Sequence, residues 1–219
     1  MLPFTAETLF ASLAQYHQAL WPLPPIALLL GLAMVLLTLR PMQHSDRMIG
    51  GLLAAAWLWI GIGYHLLHLA RLDFAAPLYG LLFVLEGVLL LWSTLRGRLA
   101  FRFRGGLVGW AGLALAMLAL AWPLLDRLAG LSWQAEWVVL LAPAPTVVLT
   151  LALLLLVPGR TPLRLVLVPL LWTLIAGATA WILWVPQDLV LPVVGLCAIG
   201  LLFWKSRRYA QRARNARSR

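Results

Sequence analysis

One carboxylate, Glu86, lies deep inside an apolar stretch of this 219-residue chain. Counted from Ala75 at the start of the stretch, a helical rise of ~1.5 Å per residue places Glu86 about 16 Å along, near the middle of a ~30 Å bilayer core. A carboxylate at that depth must face the protein interior, find a partner or keep its proton. Glu86 therefore either titrates or pairs with a cationic solute, or it is neutral and only hydrogen-bonds between helices.

Three further side chains with possible ligand chemistry, Tyr64, His65 and His68, lie towards one end of the preceding apolar stretch. Histidines at i and i+3 share a helix face, so both rings could reach one ligand or ion. Two histidines and an acid resemble a facial metal set, but His65 lies only ~8 Å from the end of its stretch, well away from Glu86 in depth. His68 is nearer the end and fits an interfacial histidine. Metal or haem binding at His65 and His68 is thus the weaker hypothesis.

A Pro-Ala-Pro-Thr segment interrupts a later apolar stretch. Pro143 and Pro145 lack a backbone N–H and clash with the preceding turn, so we expect the helix to kink or break there. Carbonyls freed inside a membrane must be satisfied by protein or by water in a cavity, and Thr146 could supply a hydroxyl. Pro145 lies at a depth of ~12 Å, between those of His65 and Glu86. Such a break indicates a solute site, although a bend that only shapes packing is the alternative.

Enzyme motifs are missing from the sequence, which contains no G-x-S-x-G, H-E-x-x-H or P-loop. Cys197 is the single cysteine, which excludes an intramolecular disulfide and a multi-cysteine metal site. Asp126 and Glu136 lie in a polar gap, where we expect them to be solvated. A non-catalytic protein is therefore favoured over an enzyme, and the sequence identifies no cofactor.

The composition predicts an all-α membrane protein. Hydrophobic residues make up 63% of the chain and charged residues only 11%, so the polar surface is too small to cover a globule in water. The net charge of +10 would suggest nucleic acid in a soluble protein. Here the basic residues flank apolar stretches, so we expect anionic lipids at the basic loops and tail, and no nucleic-acid partner.

Seven apolar stretches are each of about the length that crosses a bilayer as a helix. Arg and Lys residues occupy every second gap between them, and basic loops stay on the cytoplasmic side, so the N-terminus is predicted outside and the C-terminus inside. Residues 205–219 would form a basic cytoplasmic tail, too charged to be buried. The predicted spans within the membrane domain 22–204 are 23–40, 48–70, 75–95, 106–125, 137–157, 163–184 and 188–204.

Residues 1–21 are predicted to form an interfacial amphipathic helix rather than a span. Leu9, Leu13 and Tyr16 recur at helical spacing, and Thr5 can cap the helix start.

The spans also suggest an internal repeat of three helices, one linker helix and three helices in the same orientation. The first and fifth spans begin with Trp followed by paired prolines, and the third and seventh carry Pro-x-x-Gly at 77–80 and 192–195. Chance similarity between Leu-, Trp- and Pro-rich stretches is the alternative.

Several short motifs resemble those of a known family. They are TAETLFASLAQYHQALWP at the N-terminus, W-x-G-x-x-Y-H at 59–65, AAPLYG at 75–80, P-x-P-T at 143–146 and VPQD at 185–188. Together they are similar to a bacterial membrane-protein family of about 220 residues, known only as a domain of unknown function. The resemblance spans nearly the whole chain and implies a polytopic membrane fold without an assigned reaction.

The leading hypothesis is a small-solute transporter or solute-binding protein of the bacterial inner (plasma) membrane. Its polar site would lie in the outer half of the helix bundle. The alternative is a structural or assembly subunit of a membrane complex, whose buried polar groups would all be satisfied and which would contain no outward cavity. The predicted ligand-binding residues are Tyr64, His65, Glu86, Pro143, Pro145 and Thr146.

Overall fold

The computed structural model describes residues 4–217, and that part of the chain contains helices and no strands. The third helix continues without a break as a π-helical segment, Ile60–His68, and a 3-10 turn, Leu69–Arg71. Two further 3-10 turns are Trp133–Ala135 and Pro186–Leu189. The α-helices are α1 (Ala6–Ala19), α2 (Leu23–Leu39), α3 (Ser45–Trp59), α4 (Ala76–Leu95), α5 (Leu107–Leu120), α6 (Trp122–Leu128), α7 (Pro143–Leu156), α8 (Arg164–Leu183) and α9 (Val190–Arg217).

Apolar helices lie at the seven predicted positions, and four of them are long and apolar enough to cross a membrane. These are Ser45–Arg71, α4, α8 and the first part of α9, Val190–Gln211. Two bent pairs raise the number to six if each pair is one span: α1 with α2, bent by 86°, and α5 with α6, bent by 55°. The helix α7 is apolar but has only 14 residues. The fold class is therefore an all-helical membrane protein with four to six candidate spans.

The N-terminal helix α1 has the cap and the apolar face that its sequence predicts. The Thr5 hydroxyl accepts a hydrogen bond from the Thr8 backbone N–H at 3.3 Å. Leu9, Leu13 and Tyr16 are buried, while much of the opposite face is exposed. The helix packs against the Trp133–Ala135 turn. It thus covers one end of the bundle instead of running parallel to the other helices.

The helix α7 forms the centre of the fold, because all its residues are buried. It packs along α5 and α9 and contacts α8 and α3. A helix that is apolar on all sides suits such a position. A polar contact to α3 joins the Trp57 indole N–H to the Thr150 hydroxyl at 2.8 Å.

Of the predicted kink or break at the two prolines, the structure shows a break, because α7 begins at Pro143. A proline in the first turn loses no hydrogen bond, since the N–H groups there have no partner within the helix. The residues before it, 136–142, are buried without being helical. Thr146 connects this segment to the helix: its hydroxyl accepts from the Leu140 N–H at 2.8 Å and donates to the Ala142 carbonyl at 2.7 Å.

The other end of α7 is closed by Lys205, which the sequence placed in an exposed tail. The prediction is wrong for this residue, whose side chain is 6% exposed. Its ammonium donates to the carbonyls of Leu154, Leu155 and Val157 at 2.9, 3.2 and 2.8 Å. Carbonyls at a helix end have no partner within the helix, and a cation complements the negative end of the helix dipole. The helix α9 continues past Lys205 to Arg217.

Several arginine-bearing segments meet at this same end of the bundle. Arg102 forms a two-pronged ion pair with Asp46, which joins the loop after α4 to the start of α3. The backbone N–H of Arg102 donates to the Leu156 carbonyl at the end of α7. Arg164 at the start of α8 donates to the Ser93 hydroxyl near the end of α4. The alternating basic gaps thus lie together, as a single cytoplasmic face requires.

The matched glycines of the predicted repeat all lie at helix contacts, and the repeat stays a prediction. An added Cβ on Gly61 would lie 2.9 Å from the Gly80 carbonyl oxygen, so the π-helical segment and α4 touch through these residues. In the second triplet, Gly177 of α8 lies against Pro192 of α9, and Gly195 lies against α8. The contacts of the two triplets therefore differ, since Gly61 meets Gly80 directly whereas Gly177 and Gly195 meet Pro192 and Thr173. Close packing through small residues is common in membrane proteins whether or not they contain a repeat.

Replacing Lys205 by Met should lower the free energy of unfolding by about 2–3 kcal/mol, because three buried carbonyls lose a charged donor. Thermal or denaturant unfolding of the detergent-solubilised protein measures the change. Arg207→Met removes an exposed charge two residues further along α9 and should have little effect. Equal stability of the two variants would contradict the role assigned to Lys205.

Candidate functional site

A cavity of about 70 Å³ lies at the end of the bundle opposite the arginine-bearing segments. The start of α4 borders it, whereas the end of α4 contacts Arg164. Phe4 and Leu9 of the N-terminal region cover one side, and the start of α7 contributes Pro143 and Ala144. The second half of α8 and the turn that leads into α9 complete the wall. We refer to this space as the outer cavity.

Among the described residues, five aromatic side chains line the outer cavity: Phe4, Tyr64, Tyr79, Trp137 and Trp172. The Tyr64 and Trp137 rings are 6.1 Å apart, and those of Tyr79 and Trp172 are 5.6 Å apart, each pair in an edge-on arrangement. Tyr64 lies in the π-helical segment, which changes the direction of its side chains relative to the α-helix before it. Tyr79 lies in α4 and Trp172 in α8, whereas Trp137 lies in the non-helical segment before α7. The rings meet because these segments converge at one end of the bundle.

Two carboxylates, Asp73 and Asp188, share this aromatic wall, to which none of the described Lys and Arg side chains contributes. Asp73 is 4% exposed and accepts a hydrogen bond from the Ala75 N–H at 2.9 Å, which holds the start of α4. Asp188 lies in the Pro186–Leu189 turn, and its buried Oδ1 finds no hydrogen-bond partner within residues 4–217. Loss of hydration on burial raises the pKa of Asp188 from 3.8 to about 7.

Behind the aromatic wall lies His65, which is fully buried. Its ring is 5.1 Å from the Trp172 ring, 4.8 Å from Phe83 and 6.0 Å from Tyr79. Neither ring nitrogen has a hydrogen-bond partner in the part of the chain that the structure describes. Its ring also lies 5.1 Å from that of Tyr64. His65 thus reaches the outer cavity through the rings of Tyr64, Trp172 and Tyr79, all of which line it.

Glu86 lies deeper along the same face of α4. Tyr79, Phe83 and Glu86 are spaced by four and three residues, which aligns them on one side of a helix. Glu86 is fully buried, and neither carboxyl oxygen has a hydrogen-bond partner among the described residues. A buried polar group without a partner destabilises the fold, so such groups often mark function.

The predicted site residues therefore fall into three positions. Tyr64 and Pro143 line the outer cavity, and His65 contacts its wall. Glu86 lies further in, beyond Phe83 on the helix face. Pro145 and Thr146 are not part of the wall; the Thr146 hydroxyl is occupied by the backbone before α7, as described above.

The two histidines face different neighbours. His68 contacts Ser12 of α1 through a ring nitrogen, at 2.8 Å from the hydroxyl and 2.9 Å from the carbonyl oxygen, whereas His65 packs against α4 and α8. Within residues 4–217, no three His, Cys, Asp or Glu side chains are grouped as a metal ion would need. The geometry thus offers no support for a metal at His65 and His68.

Sequence reasoning missed most of the cavity wall, namely Asp73, Tyr79, Trp137, Trp172 and Asp188. Tyr79 belongs to the AAPLYG motif and Asp188 to the VPQD motif, so these two motifs could have identified both residues as candidates.

The expected solvation of Asp126 and Glu136 is wrong, because these residues are 0% and 6% exposed. Asp126 accepts the Trp137 backbone N–H at 2.7 Å, and Glu136 pairs with Arg127. A side-chain partner within the fold replaces water for Glu136. For Asp126 the backbone partner satisfies one carboxyl oxygen, and its Oδ1 has no hydrogen-bond partner among the described residues.

Comparison with protein families gives one match. The sequence profile of DUF6064, a family of unknown function, matches residues 6–214. This confirms the expected resemblance to a domain of unknown function. No curated protein and no solved structure shows significant similarity to the chain.

Replacing Glu86 by Met should raise the free energy of unfolding by about 1–3 kcal/mol, because an unpartnered buried carboxyl gives way to an apolar side chain of similar length. Unfolding in detergent measures the change, and Glu86→Gln, which keeps a polar group in place, should show no gain. A Met variant less stable than the parent would show that Glu86 has a stabilising partner in the bundle.

Proposed function

We propose that this chain, which belongs to the DUF6064 family, is a multi-pass membrane protein that binds a small organic cation in the outer cavity. One observation carries the proposal: aromatic rings and two carboxylates line a single cavity to which no Lys or Arg of residues 4–217 contributes.

The chemistry of the wall favours a cation over other solutes. The faces of Trp and Tyr rings attract a desolvated cation, and the attraction is strongest where water is excluded. The carboxylates of Asp73 and Asp188 supply negative charge, and a bound ammonium would give the buried Asp188 oxygen a partner. An anion in the same place would face two carboxylates without a compensating positive side chain.

The size of the cavity restricts the solute. Pockets for drug-sized ligands usually enclose about 300–1,000 Å³, whereas this cavity has about 70 Å³. A primary amine or a methylated ammonium with a few heavy atoms matches that space. A peptide or a lipid chain is too large for it.

We further propose seven membrane crossings in a bacterial inner membrane, with the N-terminus outside and the C-terminus inside. In that arrangement α2, α5 and α7 also cross, as short helices completed by their flanking segments, and the outer cavity opens to the outside. The meeting of several basic segments at the opposite end supports this orientation.

Transport is the natural extension of binding in this geometry. His65 contacts three residues of the cavity wall, Tyr64, Tyr79 and Trp172, and Glu86 follows deeper along the same face of α4. Polar groups without partners along a line into the membrane are typical of solute or proton paths. A purely structural subunit would instead have satisfied polar groups and no cavity at this end.

Ethylammonium should bind the purified protein at pH 8, whereas ethanol, a neutral molecule of similar size, should not. Asp188→Asn should weaken ethylammonium binding by about tenfold, because a charge-assisted hydrogen bond is lost. Isothermal titration calorimetry and thermal unfolding measure both effects. Glu7→Gln removes an exposed acid of α1 and is the matched control. Equal binding of ethanol, or unchanged affinity in Asp188→Asn, would contradict the proposal.

Ethylammonium affinity should rise as the pH increases from 6 to 8, because the pKa of Asp188, raised to about 7, lies in this range and only the carboxylate attracts the cation. Without ligand the sign is opposite: stability should fall as pH rises from 3.8 to 7, since the folded Asp188 holds its proton more tightly than the unfolded one. Asp188→Asn should flatten both profiles.

Other groups could contribute to the pH profile and need their own variants. Tyr64, Tyr79 and Asp73 line the cavity with Asp188, and Asp126 is close enough to interact with it electrostatically. Asp73→Asn and Asp126→Asn should each leave a rise in affinity between pH 6 and 8. A profile that changes with Asp73 or Asp126 but not with Asp188 would contradict the assignment.

A further inference from the structure

A second cavity, of about 320 Å³, lies at the arginine-rich end of the bundle. It is bordered by the start of α5, the end of α7 and the second half of α9. We refer to it as the inner cavity. Among the residues that the structure describes, its wall contains no Asp or Glu and includes four basic side chains: Arg102, Arg104, Lys205 and Arg208.

We propose that the inner cavity binds a phosphate group, carried either by a lipid headgroup or by a soluble phosphate. The site is independent of the outer cavity, because the two share no lining residue and lie at opposite ends of α7.

The four cations differ in how they are held. Lys205 is fixed by three carbonyls at the end of α7, and Arg102 is paired with Asp46. The guanidinium of Arg208 lies over the Trp204 ring, 3.9 Å from its centre, which holds it at the cavity without using its N–H donors. Arg104 is exposed in the loop before α5. Lys205 and Arg102 are therefore held by partners within the protein and make the wall positively charged. Arg104 and Arg208 keep N–H donors that can bind an anion.

Backbone amides add further donors to this positive wall. Gly106 precedes α5 with φ of +92°, a conformation that strongly favours glycine, and no side chain caps the helix. The first amides of a helix have no partner within it and can bind an anion. Leu107, Val108 and Gly109 of this first turn line the inner cavity.

The surroundings favour phosphate in particular. A phosphate group has several acceptor oxygens and suits guanidinium donors in pairs. Leu107 and Trp110 beside the cavity are exposed and apolar, as expected where a protein meets the lipid interface. The volume of about 320 Å³ accommodates a phosphate with part of its ester group.

The test uses the purified protein and two probes: inorganic phosphate in detergent, and nanodiscs of digalactosyldiacylglycerol, a lipid without phosphate, with or without phosphatidic acid. Binding is measured by thermal unfolding for phosphate and by native mass spectrometry of retained lipid for phosphatidic acid. We expect Arg104→Gln combined with Arg208→Gln to weaken the probe that binds by at least about tenfold. Arg40→Gln, an exposed arginine outside the inner cavity, should leave binding unchanged.

A second pair of variants keeps the test valid if the arginine variants fail to fold. A Cβ added to Gly105 would contact nothing within 4 Å, so a side chain there fits without displacing its neighbours. Gly105→Glu places a carboxylate at the cavity and should abolish binding, whereas Gly105→Gln has the same size and should retain it.

The outcomes separate the two sources. Binding of phosphate that is lost in Gly105→Glu supports a soluble phosphate, and retention of phosphatidic acid alone, lost in the same variant, supports a lipid headgroup. Binding of neither probe, or equal binding by Gly105→Glu and Gly105→Gln, overturns the proposal. Each result leaves the cation site untouched, since ethylammonium binding is measured separately.

Discussion

A helix that is buried on every side must satisfy the backbone groups at both of its ends inside the protein, and this constraint organises the fold around α7. At the first end, Pro143 and Pro145 carry no N–H, and Thr146 connects the helix to the buried segment before it. At the other end, Lys205 donates to three carbonyls. The segment 136–142 must therefore be buried in the bundle. The helix α9 must pass the end of α7 so that the Lys205 ammonium contacts the last carbonyls of α7.

The short length of α7 follows from the same arrangement and gives each end a cavity. Fourteen residues span about 21 Å, and loops and helix ends from neighbouring segments pack beyond both ends of the helix. Pro143 contributes to the wall of the outer cavity, and Leu156 to that of the inner cavity. Both candidate sites thus exist because neighbouring chain segments converge where the central helix stops.

The sequence predicted the helix positions and the grouping of the basic loops, because both depend on the residues of each stretch and its flanks. Apolar length located the helices, and the alternating arginines indicated that their loops share one face. The rule for proline identified a disturbance at Pro143 but could not tell a kink from a helix start, since that depends on whether the preceding residues find other partners. Burial of Lys205 and Asp126 was not predictable, because their partners are distant in sequence or formed by an irregular turn. Of the predicted site residues, only Tyr64 and Pro143 line the outer cavity. The other lining residues were not predicted for the same reason, because the ends of several helices that are distant in sequence form the cavity.

The two cavities differ in the backbone donors that a helix start offers, and this difference supports opposite ligand charges. At the outer cavity, prolines occupy the first and third positions of α7, and the Ala142 N–H is already bonded to the Val138 carbonyl. Few amides remain there for an anion, so the two carboxylates dominate the electrostatics. At the inner cavity, α5 starts after Gly106 with its amides uncapped, among four basic side chains. The start of α7 thus disfavours an anion, because its prolines lack N–H donors. The start of α5 favours an anion, because the amides of its first turn are not capped by a side chain.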